Sequence, residues 1–314
     1  MSKKCRIPFF DLLRILCIAL IVYSHFEFTY LPNIGAINPN LFLFVGTRIF
    51  NYSINLDAFA VMGMFFVSGA VLEYNYQAIR NFTKYTGFVL KRFFRLYPIY
   101  WVSLLLSGMI LLAFSGVFPV SGDLMIIPGI FGIGYNSLNW IGWFIGAIFS
   151  LYLLFPFISA TFRKYPYFSL IACAMIEITF HMVTPSTFIA RSIPLWNLFE
   201  FGLGIFCIQM EFYPRIDLDS PLTSKIADFS FYVFIFHIVV LQYMNDLIYL
   251  LYSLGHSINS SINIIFFGAL DILGDPIAGY IGRLILILIV SFIAMLIDKG
   301  IQKIVARCLI RSDS

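Results

Sequence analysis

Arg14 and His25 bracket an otherwise apolar run, RILCIALIVYSH at residues 14–25. On a helix of 3.6 residues per turn their separation leaves an offset of about 20°, so both project from one face. At 1.5 Å per residue they lie about 16 Å apart along the axis, roughly half the apolar thickness of a bilayer. One face thus offers a fixed positive charge at one depth and a proton-transfer group at another. Ionisable side chains inside an apolar helix are costly, which makes both candidate functional residues. The structural alternative is an arginine that snorkels to the surface, paired with Asp11, and a histidine with a satisfied hydrogen bond.

Arg92 and Arg95 stand at i,i+3 just before a further apolar run. Arginine grips phosphate in bidentate fashion, so the pair is a candidate anion dock, or else a plain positive anchor at a membrane surface. His237 and Glu200 lie in later apolar runs and are candidates to orient an imidazole or to bind a substrate, or else to join helices. Ser68 precedes Gly69, a small pair that lets two helices approach closely. Glu177 and His181 at i,i+4 read as a pair within one helix. The five cysteines show no CxxC spacing, so neither a disulfide framework nor a metal site is expected.

These residues need elements to hold them. The chain has 314 residues, 61% hydrophobic and 11% charged, with mean hydropathy +0.91. A soluble domain would carry about a quarter charged residues, so lipid must solvate much of this surface. Eight strong spanning candidates lie at about 9–30, 56–76, 97–115, 142–162, 167–186, 194–211, 226–250 and 279–298. Two weaker stretches, about 124–139 and 257–275, carry Gly, Pro, Asn or Asp. The basic N-terminus imitates a signal peptide but lacks a small-residue cleavage site, so it reads as the first span. The chain reads as one membrane domain over 1–314, with 299–314 as a short basic tail. The N-terminus, the 77–96 loop and this tail are basic, which places them in the cytoplasm. The net charge of +4 is small and sits in short loops, which fits topology rather than nucleic-acid binding.

Several segments then match one family in order. Arg14 and His25 at their spacing resemble the signature of the acyltransferase-3 family, multi-spanning membrane enzymes that O-acetylate cell-surface glycans. FFVSG at 65–69 resembles its FF-x-SG segment. KRFFRLYPIYW at 91–101 matches its R-x-x-R-x-x-P-x-Y motif through Arg92, Arg95, Pro98 and Tyr100. WFIGAIFSLYLLFP at 143–156 is similar to its WFL-x5-FYLLFP helix, FEFGLG at 199–204 to its F-x-x-G patch, and SFYVFIFH at 230–237 to its late SYSIYLWH segment. One departure stands out: where many members carry a glutamate and a glutamine, this chain has Ile148, Phe149 and Ser150.

The resemblance implies an all-α polytopic helical bundle of about ten transmembrane helices, both termini cytoplasmic, in the cell membrane. It implies an acyl-CoA donor, acetyl-CoA or a longer one, and no permanently bound cofactor. It implies a glycan or lipid-linked glycan acceptor, with polysaccharide-assembly proteins as candidate partners. Arg92 and Arg95 would dock the CoA phosphates, with Arg14 at the inner mouth and Pro98 in the first turn of the next helix. His25 would act as general base, or carry the acyl group as a nucleophile. His237, Glu200, Ser68 and Tyr100 would support the site or bind the acceptor. The rival readings are a flippase for a lipid-linked glycan and a catalytically inactive relative. Loop charge favours eight spans, whereas the family pattern favours ten, and the register of several helices decides for ten.

Overall fold

The computed structural model describes residues 6–34, 56–76, 79, 81–116, 129, 131–134, 136, 138–216, 221–258 and 276–312. Long helices dominate: α1 (Pro8–Ile34), α2 (Leu56–Asn75), α3 (Phe82–Ser115), α4 (Gly142–Lys164), α5 (Pro166–Val183), α8 (Pro221–Ile258) and α9 (Pro276–Ser312). These seven contain stretches long and apolar enough to cross a membrane. Between α5 and α8 come the short α6 (Phe188–Ser192), a 3-10 turn (Pro194–Asn197) and α7 (Leu198–Gln209). No strand occurs among the described residues. The protein is a polytopic helical membrane protein.

Helix ends follow local chemistry. The Asn81 side chain accepts a hydrogen bond from Lys84 N at 3.1 Å and opens α3, and Gly116 closes it in the left-handed region at φ 67°. This cap starts α3 well before the apolar run. Arg92, Arg95 and Pro98 therefore lie inside a 34-residue helix, not ahead of one. Stretch 194–211 also differs from its expected single span. Pro194 opens a 3-10 turn instead, and α7 has 12 residues, about 18 Å, so the α-helix alone falls short of an apolar core of about 30 Å and the turn must make up the rest of any passage.

Side-chain pairs fix the helix directions. Arg6 meets Asp228 and His25 meets His237, so α1 and α8 run parallel. Phe10 packs on Phe66 and Cys17 on Gly63, so α2 runs back. Tyr85 bonds the carbonyl of Leu153 while Gly142 abuts the Tyr100 hydroxyl, so α3 and α4 are antiparallel. Glu177 bonds Phe199 N while Tyr167 packs on Phe206, so α5 and α7 are antiparallel. Asp298 meets Tyr232 and Gln302 reaches the carbonyl of Phe94, nearer the start of α3, so α9 opposes α8. Helices α1, α3, α5 and α8 thus run one way and α2, α4, α7 and α9 the other. Lys84, Lys91, Lys164, Lys225, Lys299 and Lys303 collect at the end where α1 begins.

Because α3 and α4 are antiparallel, the connection between them starts and finishes at one end of the bundle. Of the described residues in 124–139, Gly129 is helical, and 131–134, 136, 138 and 139 form turns and irregular backbone. Gly132 and Gly134 adopt φ of 75° and 82°, which L residues avoid, and Tyr97 and Tyr100 donate to the carbonyls of Phe131 (3.0 Å) and Gly129 (2.8 Å). Non-helical backbone at membrane depth is tolerable when protein groups satisfy it in this way. Stretch 257–275, beyond its first two residues, lies outside the described residues. The 299–312 part of the tail continues α9, and Gln302 ties it to α3.

A polar knot locks the basic end. The buried Glu73 carboxylate accepts from Arg163 Nη2 (2.8 Å), Gln209 Nε2 (3.0 Å) and Ser159 Oγ (2.5 Å), joining α2, α4 and α7. Gly69 and Gly204 let α2 and α7 touch backbone to backbone: a Cβ on Gly69 would strike the Phe201 carbonyl, and one on Gly204 the Phe66 carbonyl.

Candidate active site

Two groups of sequence-predicted residues come together at different depths. The deeper one is a histidine pair. His25 Nδ1 on α1 lies 2.8 Å from His237 Nε2 on α8, with the rings nearly parallel at 4° and their centroids 5.1 Å apart. His237 is completely buried, and its Nδ1 lies 2.7 Å from the carbonyl of Phe234, one turn back. Trp140 also packs against His25, with ring centroids 4.8 Å apart.

Trp140 comes from the irregular connection before α4, and the residue ahead of it holds it there. Asn139 is fully buried, and its Nδ2 donates to Ser103 Oγ (2.9 Å) on α3 and to the Ile235 carbonyl (3.1 Å) on α8. Its Oδ1 accepts from Ile141 N (3.3 Å). One amide thus ties α3, α8 and the start of α4 around the histidines. Tyr100 serves the same end through its bond to Gly129, so it acts on the connection rather than at the histidines.

The second group lies toward the basic end. Arg92 sits over the rings of Tyr76, Phe88 and Tyr152, at 5.0, 5.5 and 5.5 Å from their centroids. Arg95 sits over Phe231 at 5.3 Å. Arg14 lies within electrostatic range of Asp11, Tyr152, Arg95 and Asp228. Tyr152 therefore adjoins both Arg14 and Arg92, and the three arginines form one neighbourhood. Arg6 engages Asp228 at 2.7 Å and Asp11 at 3.5 Å, which gives those two acids a cation other than Arg14. Among the described residues, none of Arg14, Arg92 and Arg95 makes a salt bridge with a carboxylate, and Arg92 Nε is buried without a hydrogen-bond partner. Faces of aromatic rings hold Arg92 and Arg95 without pairing them to an acid, which leaves them available to an anionic ligand.

Glu200 does not join the histidines. It lies within electrostatic range of Glu177 on α5 and of His181. Glu177 and His181 also turn outward rather than toward each other. Glu177 Oε2 accepts from Phe199 N (2.7 Å) and caps α7 from a neighbouring helix, while His181 Nε2 donates to the Trp196 carbonyl (3.0 Å). Ser68 stands beside Gly69 at the α2–α7 crossing, apart from both groups. The family's missing acid leaves no polar vacancy: Ile148 is in the core and Phe149 packs on Tyr97 (5.1 Å). Trp140, Asn139, Ser103 and Tyr152 are the participants that sequence patterns did not single out.

Residues 7–220, about two-thirds of the chain, match the family described as an acyltransferase domain. The chain belongs to the acyltransferase-3 family. Neither a curated protein nor a solved structure matches it. Membership makes this a membrane acyltransferase. Of the two groups, His25, Arg14, Arg92 and Arg95 lie inside the matched residues and His237 lies beyond them.

Proposed function

We propose that the protein moves an acyl group, most simply acetyl, from cytoplasmic acyl-CoA to a hydroxyl of a cell-surface glycan or lipid-linked glycan. The observation that carries this reading is the vertical pairing on α1. Arg14 belongs to a cluster of arginines that make no salt bridge among the described residues, at the basic end, and His25 stands about 16 Å deeper beside His237. An extended pantetheine arm can bridge that distance. The clustering of lysines at one end supports placing that end, and both termini, in the cytoplasm.

In this reading Arg92 and Arg95, with Arg14, hold the phosphates of the donor, and the thioester carbonyl lies by His25. The acceptor hydroxyl approaches from the far side. His25 removes its proton as the oxygen attacks the carbonyl carbon, forming the ester C–O bond. The tetrahedral intermediate collapses, the C–S bond breaks, and the leaving thiolate takes the proton from His25. Asn139 and Tyr100 keep the wall of the site in place. The test compares acyl esters on the surface polymers of a deletion strain complemented with wild-type or His25→Ala protein. Esters restored only by the wild type support the proposal. Equal restoration by a well-expressed His25→Ala protein, or no change on deletion, contradicts it.

A further inference from the structure

We infer that His237 is a positioning residue that fixes the tautomer of His25, so that Nε2 of His25 is the atom that takes the acceptor's proton. The inference rests on the base role proposed for His25 and deepens it. The argument starts from a group with no choice: the Phe234 carbonyl can only accept, so the nitrogen 2.7 Å away, His237 Nδ1, must carry a hydrogen. A neutral imidazole has one N–H, which leaves His237 Nε2 with a lone pair. That lone pair faces His25 Nδ1 at 2.8 Å, and two bare nitrogens at this distance would repel, so His25 Nδ1 carries the hydrogen. The lone pair of His25 is then on Nε2. A backbone carbonyl on α8 thereby dictates, through two rings, which nitrogen of α1 is basic.

His237 performs the orienting task that a carboxylate performs in many hydrolase triads, without bringing a negative charge into the membrane. When His25 Nε2 accepts a proton, its Nδ1–H already points at the His237 lone pair, which holds the cation by a charge-assisted hydrogen bond. Full burial of His237 and its parallel alignment with His25 leave the lock little freedom to slip. His237 touches no reacting atom in this scheme.

The lock has a readout apart from turnover. The chain has four histidines, so 15N-histidine protein in lipid nanodiscs gives few ring signals, and a His25→Gln sample assigns those of His25. NMR is expected to show the His25 proton on Nδ1 in the wild type. In His237→Phe, His25 should move to a mixture or to the Nε2–H form. Turnover should fall by about a hundredfold, within the usual range for general-base steps, with the donor KM within twofold. His237→Gln, whose amide oxygen can accept from His25 Nδ1, should restore both the tautomer and most of the rate. It also serves if the Phe variant does not accumulate. A wild-type His25 protonated on Nε2, or a tautomer unchanged in either variant lacking the acceptor, overturns the inference. A locked tautomer in a protein that transfers no acyl group would instead leave the lock standing and refute the catalytic proposal.

Discussion

The part of the chain that matches the family and the two helices beyond it contribute different kinds of groups. Residues 7–220 supply Arg14, His25, Arg92 and Arg95, the groups that meet substrate in the proposed reaction. Helices α8 and α9 supply what surrounds them: His237 and the Phe234 carbonyl behind His25, Phe231 beneath Arg95, and Tyr232 with Asp298 beside it. The first part holds the chemistry together with some of its own scaffolding, Asn139 and Tyr100, whereas the second contributes geometry alone. Chemistry is fixed by residue type and leaves a recognisable pattern. Geometry can be delivered by a backbone carbonyl or a ring face, which many sequences can provide.

That contrast can be broken by experiment. The largest effect belongs to the first part: His25→Ala should lower turnover by about a hundredfold to ten-thousandfold, while the protein inserts and accumulates normally, as steady-state rates and membrane yield will show. Outside the site, Arg163→Ala should act on stability alone. It strips the guanidinium from the buried Glu73 carboxylate, at about 3 kcal/mol, the low end for a broken buried pair because Arg163 is itself about a third exposed. Thermal unfolding in detergent should show a clear drop, with the rate per folded molecule unchanged. Arg92→Ala and Arg95→Ala should raise the donor KM about tenfold and change kcat less, since phosphates remote from the reacting carbon are held equally in ground and transition states. A donor KM untouched by either change would move the dock elsewhere. Smallest of all, Tyr100→Phe deletes one hydrogen bond to the Gly129 carbonyl and should cost about 1 kcal/mol, seen as a modest loss of thermal stability.

The alternating helix directions sharpen a second point. We propose eight passages through the membrane, with α7 and the turn before it making one of them. Single cysteines at 164 and 225 in a cysteine-free background should then resist an impermeant thiol reagent on intact cells. Labelling at both sites would require the ten-span arrangement that the family pattern suggests.

Hydropathy and spacing made much of this legible. The runs at 56–76 and 142–162 became α2 and α4 almost residue for residue, because uninterrupted apolar length leaves a membrane chain little alternative to a helix. The Arg14–His25 pattern was legible because both lie on one helix. His237 was legible as a candidate to orient an imidazole, on a par with Glu200, but its direct contact with His25 was not, since 212 residues separate them and no local periodicity carries a contact between distant helices. Stretch 124–139 lies only in part among the described residues. Its uncharged residues look membrane-compatible, and what local pattern did not reveal is that glycines at positive φ turn the backbone at 132 and 134 while the hydroxyls of Tyr97 and Tyr100 satisfy the carbonyls of Phe131 and Gly129. Glu177 looked like half of an i,i+4 pair, and only the arrival of α7 shows that its carboxylate caps a neighbouring helix.

The central claim is that His25 moves the acceptor's proton during acyl transfer, and it can be measured directly with purified protein in nanodiscs. Acetyl-CoA and a soluble oligosaccharide acceptor are supplied together, and free CoA thiol is followed with time alongside ester formed on the sugar. The account predicts acceptor-dependent thiol release by the wild type, matched one for one by new ester, and its loss in His25→Ala with acetyl-CoA binding retained. Thiol release and ester formation at wild-type rates by a folded His25→Ala protein would contradict it.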